Sequence, residues 1–239
     1  MRAVPLLLAA AVALASGLAN AATPWCASDY DALSDGICHV GSTDGQERRT
    51  LVIFLHGAIA KDVDWQHIQE KALARQAKQS HFEAIFPRAP LGPGGYVWPG
   101  SVSAQEAVES DLVSSWSRAR RTLEARNGKP FDDVFVMGFS SGAYFVSSLA
   151  LRGKLKVDGY AVFAGGAGWV SGESPARKPP VFVGVCADDA QTREHSRAFG
   201  AAAQARGFPT RIDEQPIGHM FGDLHVAHAV SYLRGAHAK

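Results

Sequence analysis

The feature that most restricts how this chain can fold is a short, uninterrupted apolar run that keeps recurring. Thr50-Leu51-Val52-Ile53-Phe54-Leu55 is the first, rich in β-branched and aromatic side chains. A strand apolar on both faces fits a parallel sheet with helices packed on each side, because a half-solvated sheet would alternate apolar with polar. Phe82-Glu83-Ala84-Ile85-Phe86, Asp133-Val134-Phe135-Val136-Met137, Tyr160-Ala161-Val162-Phe163 and Val181-Phe182-Val183-Gly184-Val185 repeat the pattern, and a more polar strand is predicted over Thr210–Gln215. Between them, residues 63–79, 104–126, 141–151, 191–206 and 223–233 carry helix formers, with apolar positions three and four apart. Strands alternating with helices predict an α/β chain with an open, mostly parallel central sheet and helices on both faces.

Nothing divides that pattern. The 239 residues are 46% hydrophobic, enough for one sizeable core, and no internal repeat, low-complexity tract or linker interrupts them. Residues 22–239 are therefore read as one domain without a separate cap. Residues 1–21 read as a signal peptide: Arg2 opens it, an apolar run covers 5–15, and Ala19-Asn20-Ala21 offers small residues for cleavage. That run is short for a bilayer span of about 20 residues, so an exported chain, periplasmic or extracellular, without stable membrane insertion is expected. Export makes Cys26 and Cys38 a predicted disulfide, since an oxidising compartment preserves one. Cys186 is left over and reads as a small buried hydrophobe. Lys and Arg number 24 against 23 acidic residues, a net charge of +1, which gives nucleic acid no electrostatic footing.

The sharpest local signal is Gly138-Phe139-Ser140-Ser141-Gly142, placed between a buried strand and a helix. There a serine sits on a tight turn with its hydroxyl clear of the sheet, and flanking glycines avoid clashes in the bend. A hydroxyl needs a base to take its proton. Of nine histidines, His219 follows the last strand in Ile217-Gly218-His219 and so emerges at the same sheet edge as Ser140. The imidazole in turn needs a carboxylate; Asp188 and Asp189 both follow a strand, and Asp189 is favoured, with helix capping as the role of its neighbour. An oxyanion formed in acyl transfer requires two donors. The backbone N–H of Ser141 is one candidate. Ala58 is the other, in Leu55-His56-Gly57-Ala58-Ile59, where Gly57 permits close backbone approach.

Together these residues resemble the α/β-hydrolase superfamily, over essentially the whole mature chain. The stretches that carry the likeness are Phe54-Leu55-His56-Gly57, Phe86-Pro87-Arg88-Ala89-Pro90 with Trp98 downstream, Gly138-Phe139-Ser140-Ser141-Gly142 and Gly218-His219. Within it the chain is similar to the lidless phospholipase/carboxylesterase and acyl-protein thioesterase group, and to secreted polyhydroxybutyrate depolymerase and feruloyl esterase-like families. The order Ser140, Asp189, His219 is that of the superfamily's triad. The resemblance implies a serine esterase working through an acyl-enzyme on a carboxylic ester, or on a thioester or polyester. Cys186 departs from the family's Gly-x-x-Asp turn and fits only if its φ is negative. Ala58-Ile59-Ala60 replaces a glycine run, which argues against the hormone-sensitive lipase type.

Ile59, Tyr96, Trp98, Tyr144 and Phe221 are the predicted substrate-binding residues, with Trp65 and Met220 flanking them; Tyr96 and Trp98 lie in a Gly- and Pro-rich loop over 91–100. An open, shallow site for small-molecule or polymeric esters is expected. His225 and His228 have helical metal-ligand spacing but no third ligand, so no metal and no organic cofactor are expected. The competing readings are a serine peptidase on the same fold and a non-catalytic binding protein.

Overall fold

In the computed structural model, residues 24–41, 46–61 and 63–237 are described. The predicted signal peptide and its cleavage site lie outside the described residues. In chain order the strands are β1 (Asp31–Ala32), β2 (Ile37–Val40), β3 (Thr50–Leu55), β4 (Ile59–Ala60), β5 (Glu83–Pro87), β6 (Leu91–Gly92), β7 (Gly95–Tyr96), β8 (Asp133–Phe139), β9 (Gly159–Phe163), β10 (Val181–Cys186) and β11 (Thr210–Gln215). The helices are α1 (Trp65–Ser80), α2 (Val102–Glu106), α3 (Glu109–Asn127), α4 (Ser141–Leu151), α5 (Arg193–Ala205) and α6 (Asp223–His237).

The main sheet runs β1-β2-β5-β3-β8-β9-β10-β11. Pairings from β5 through β11 are parallel, and the β1–β2 and β2–β5 pairings are antiparallel. The doubly apolar strands do what their composition requires. Leu51, Ile53, Leu55, Val134, Val136, Val181 and Val183 point into one core, covered by α3, α4 and α5. Their neighbours Val52, Phe54, Phe135, Met137 and Phe182 point into a second core, covered by α1 and α6. The period-two alternation of side chains thus feeds a core on each face. The outermost strand β11 is the exception, with Arg211, Asp213 and Glu214 on the sheet's border.

Two features differ from the sequence expectations. The helix expected over 104–126 is two, because Val108, at φ −125°, steps out of helical geometry between α2 and α3. Glu109 and Asp111 then restart the helix favourably near the positive end of its dipole. The Gly- and Pro-rich segment read as a free loop instead forms a small antiparallel sheet, β4-β7-β6, in which Ile59 pairs with Tyr96. The segment ahead of β3 joins the main sheet through β2, where Cys38 is bonded to its predicted partner Cys26 across a Cα separation of 5.4 Å. No helix among the described residues is long and apolar enough to cross a membrane.

Candidate active site

Ser140 lies between β8 and α4 at φ 51°, ψ −116°, a backbone conformation that costs a non-glycine residue about 1–3 kcal/mol. Neighbouring backbone holds it there: its N–H donates to Phe163 O at 3.0 Å. The flanking glycines are steric requirements. A Cβ on Gly138 would lie 2.4 Å from Gly142 O, and one on Gly142 would lie 2.1 Å from Leu55 O. The bare Gly138 lets the chain turn tightly from β8 into α4, and the bare Gly142 lets α4 start against the end of β3.

His219 stands beyond β11, with its side chain 38% exposed. Its Nδ1 is 2.6 Å from Asp189 Oδ2, and its Nε2 is 3.0 Å from Ser140 Oγ. A carboxylate can only accept, so Nδ1 carries the hydrogen and Nε2 is free to accept the serine hydroxyl. Asp189 is buried behind the ring. Burial pushes its carboxyl up, but bonds from the Thr192 hydroxyl, His219 and the Gln191 N–H outweigh it and hold the group below the usual carboxylate value. Asp188, the alternative, is exposed, and its N–H donates to Ile217 O at 3.1 Å. Asp188 does not cap the helix as expected: the N-cap of α5 is Thr192, without a side-chain capping bond, and Asp189 accepts the N–H groups of Gln191 and Thr192 in the turn just ahead of it. Cys186 ends β10 without a positive φ; it is buried, its Sγ–H faces Met220 O at 3.6 Å, and burial pushes its thiol up to about 11.

Ser141 opens α4, so its N–H is among those a helix start leaves without an intrahelical acceptor. Ala58 is exposed on the turn leaving β3 and lines the same cavity as Ser140. His56 anchors that turn. Ala89 N–H donates to its Nε2 at 3.0 Å, so its Nδ1–H donates to Gly57 O at 2.5 Å. Complete burial lowers its pKa to about 4, and the ring stays neutral. Gly57 is needed because a Cβ there would meet the Phe139 ring at 2.8 Å.

The cavity beside Ser140 and His219 is about 430 Å³ and open to solvent. Trp65, Ile68 and Ala72 of α1 form one wall, and Met220 and Phe221 form the other. Trp65, Ile68 and Met220 are 54, 64 and 52% exposed, a cluster of apolar surface that folding alone does not require. A second cavity, about 300 Å³ beside α3, is lined by Arg120, Lys154 and Lys156 and has no histidine or carboxylate.

Of the predicted substrate-binding residues, Phe221 lines the cleft, packed on Phe54 at 4.6 Å. Trp98 does not: it is 1% exposed, its indole N–H donates to His56 O at 2.9 Å, and it packs against Trp116 and Phe145. It is a core residue that props the turn after β3. Ile59 is likewise buried, held in β4. Tyr96 faces the N-terminal segment, edge-on to Trp25 at 4.9 Å and beneath the Arg88 guanidinium. Tyr144, one turn after Ser140, belongs to another exposed cluster: its hydroxyl lies 2.6 Å from His195 Nδ1, and its ring lies beside Trp169. Nothing in the sequence singles out Ile68, Trp169, Thr192 or Gln69, whose roles come from contacts across the fold.

The sulfurs of Cys26 and Cys38 lie within 4.8 Å of a Glu70 carboxylate oxygen, but they are bonded to each other and offer no thiolate to a metal. His225 is buried with neither ring nitrogen hydrogen-bonded, and His228 pairs with Asp213 at 3.0 Å.

No protein-family model matches the chain. No curated protein matches its sequence. Solved structures do. A carboxylesterase from Mesorhizobium loti is similar at 21% identity and a TM-score of 0.63, covering 87% of this chain and 99% of that one. Esterase PE8 is similar at 20% identity and a TM-score of 0.59, covering 83% of this chain and 97% of that one. SOBER1 from Arabidopsis thaliana is similar at 15% identity and a TM-score of 0.57, covering 80% of this chain and 100% of that one. At such identities the likeness speaks to architecture, and with the mostly parallel sheet and a helix layer on each face it shows that this chain has the α/β-hydrolase fold.

Proposed function

We propose that the chain is an exported serine esterase that cleaves carboxylic esters by way of an acyl-enzyme. The observation that carries the reading is the relay Asp189–His219–Ser140, spaced at 2.6 and 3.0 Å at one edge of the sheet. In this reading Ser140 Oγ attacks the ester carbonyl while His219 Nε2 takes its proton. Asp189 steadies the imidazolium that forms. The N–H groups of Ser141 and Ala58 receive the negative oxygen of the tetrahedral intermediate. His219 then protonates the departing alcohol. Water, deprotonated by the same ring, releases the acid from Ser140.

The cleft suggests which substrates fit. Its Trp65, Ile68, Met220 and Phe221 walls suit an aliphatic or aromatic acyl group, and its openness suits an ester carried on a larger body, polyester included. Thioesters present the same carbonyl chemistry. Export rests on the N-terminal leader and agrees with the Cys26–Cys38 bond, which persists in an oxidising compartment.

Fluorophosphonate labelling of the mature protein tests the reading. Wild type should be labelled and Ser140→Ala should not. Equal labelling of the two would reject Ser140 as the nucleophile.

A further inference from the structure

The interior face of α1 is unusual. Gln66, Gln69, Glu70 and Gln76 are all buried there, where a helix packed on a sheet normally places apolar side chains. Gln66 Nε2–H donates to Trp25 O at 3.1 Å, and Glu70 Oε2 accepts the Ala27 N–H at 3.1 Å. Those two bonds dock the disulfide-closed N-terminal segment. Gln69 points elsewhere. It is 8% exposed, and its Oε1 accepts the backbone N–H of Gly57 at 2.8 Å.

Gly57 precedes Ala58, the donor assigned to the oxyanion. In a trans peptide the C=O of Gly57 and the N–H of Ala58 lie in one plane and point in opposite directions. Whatever fixes the orientation of Gly57 therefore aims the Ala58 N–H. His56 holds the Gly57 carbonyl oxygen, and Gln69 holds the Gly57 N–H. Two grips, one on each adjoining peptide plane, are needed at a residue that has no Cβ and the widest backbone freedom. The position cannot gain a side chain in exchange, because the Phe139 ring occupies that space.

We infer that Gln69 is a positioning residue of the oxyanion turn, setting the direction of the Ala58 N–H without touching substrate. The assignment rests on the serine-esterase reading above. An acceptor is required at this point, while the amide NH₂ of Gln69 is not. An apolar side chain of the same length leaves the buried Gly57 N–H unpaired and lets the turn reorient. Glutamate keeps the acceptor in place.

The test compares the intact mature protein with Gln69→Leu, Gln69→Asn and Gln69→Glu, reading kcat and KM on a short acetyl ester together with the thermal midpoint. Loss of a correctly aimed oxyanion donor costs on the order of 100-fold in kcat. Gln69→Leu should thus lower kcat by about 10- to 100-fold with KM changed by less than about threefold, because the donor acts on the transition state rather than the bound ester. Gln69→Asn, whose acceptor is drawn back by one methylene, should fall the same way, and it serves if the leucine variant does not fold. Gln69→Glu should recover most of kcat. A structural role alone would lower the midpoint and leave kcat per folded molecule intact. Wild-type kcat in Gln69→Leu or Gln69→Asn, or a glutamate variant as slow as the leucine one, overturns the assignment. Undiminished turnover by Ser140→Ala would overturn the esterase reading and this assignment with it; turnover lost in Ser140→Ala but kept in Gln69→Leu overturns this assignment alone.

Discussion

Gly142 stands so close to Leu55 that an added Cβ would lie 2.1 Å from its carbonyl oxygen and 2.6 Å from the carbonyl carbon. Both are backbone atoms of the residue that ends β3, so neither can swing aside as a side-chain tip would. Gly142→Ala should destabilise the fold by about 2 kcal/mol or more, as overpacking a tight contact does. It should also displace Ser140. Urea unfolding and fluorophosphonate labelling measured on the same sample would register both effects; a fully stable, fully labelled variant would contradict the steric account.

The two adjacent aspartates should behave very differently. Asp189→Asn should lower kcat on the order of 1,000-fold or more, since an amide can stabilise the wrong tautomer of His219. Asp188→Asn, at an exposed side chain outside the relay, should stay close to wild type. Thr192→Val removes one of the bonds that hold the Asp189 carboxyl low, while the opposing effect of burial remains. Its activity should therefore fade at a higher pH on the acid side than wild type does, as a kcat/KM profile would register.

Glu70 predicts how stability changes with pH. Burial pushes its carboxyl from 4.5 up to about 8, against the lowering effect of the Ala27 N–H. Below about pH 4.5 the group is protonated in both folded and unfolded chains. Between 4.5 and 8 the unfolded chain loses this proton and the folded one retains it, so the contribution to stability declines as pH rises through that window. The slope from this group is at most about 1.4 kcal/mol per pH unit. Glu70→Gln has nothing to titrate there and should gain stability relative to wild type from pH 5 to pH 8, measured by urea midpoints. A constant difference would assign the dependence to other groups.

The apolar cleft should show itself in acyl-chain length. Each methylene removed from water is worth about 0.8 kcal/mol, or about fourfold in kcat/KM. Extending the acyl chain from acetyl to butyryl and then to hexanoyl adds two methylenes each time, and should therefore raise kcat/KM by about 15-fold per step. Ile68→Gln and Met220→Gln should flatten the series, because both side chains lie on the exposed cleft wall. A series equally steep in all three proteins would place the chain elsewhere.

Much of the fold was legible because it rests on local composition. Doubly apolar strands such as Thr50–Leu55 announce a parallel sheet covered on both faces, and the run from Gly138 to Gly142 announces its own turn through two glycines that the backbone requires. The positions of Ser140, Asp189 and His219 follow from strand order, since loops leaving parallel strands share an edge. What failed was the direction of individual aromatics. Trp98 follows a flexible-looking sequence and was expected in the cleft, yet its indole meets His56 O inside the core. A tryptophan is large enough to serve either place, and the sequence around it does not say which buried acceptor waits. Gln69 was invisible for the same reason: its partner Gly57 is twelve residues away, and the bond depends on where α1 comes to rest against the turn.

The sheet's outermost strand bears on how molecules of this kind behave when crowded together. Thr210–Gln215 presents Arg211, Asp213 and Glu214 along a border that is otherwise free to accept another strand. Arg197 reaches Glu214, and His228 reaches Asp213, so the border is charged in both signs and already engaged by its own helices. A second molecule aligning there would have to strip water from those ions and displace their partners before gaining backbone bonds. Concentrated solutions are thereby guarded against edge-to-edge polymerisation at the side of the sheet nearest His219, while the opposite border ends in the two-residue strand β1, too short to template a fibre.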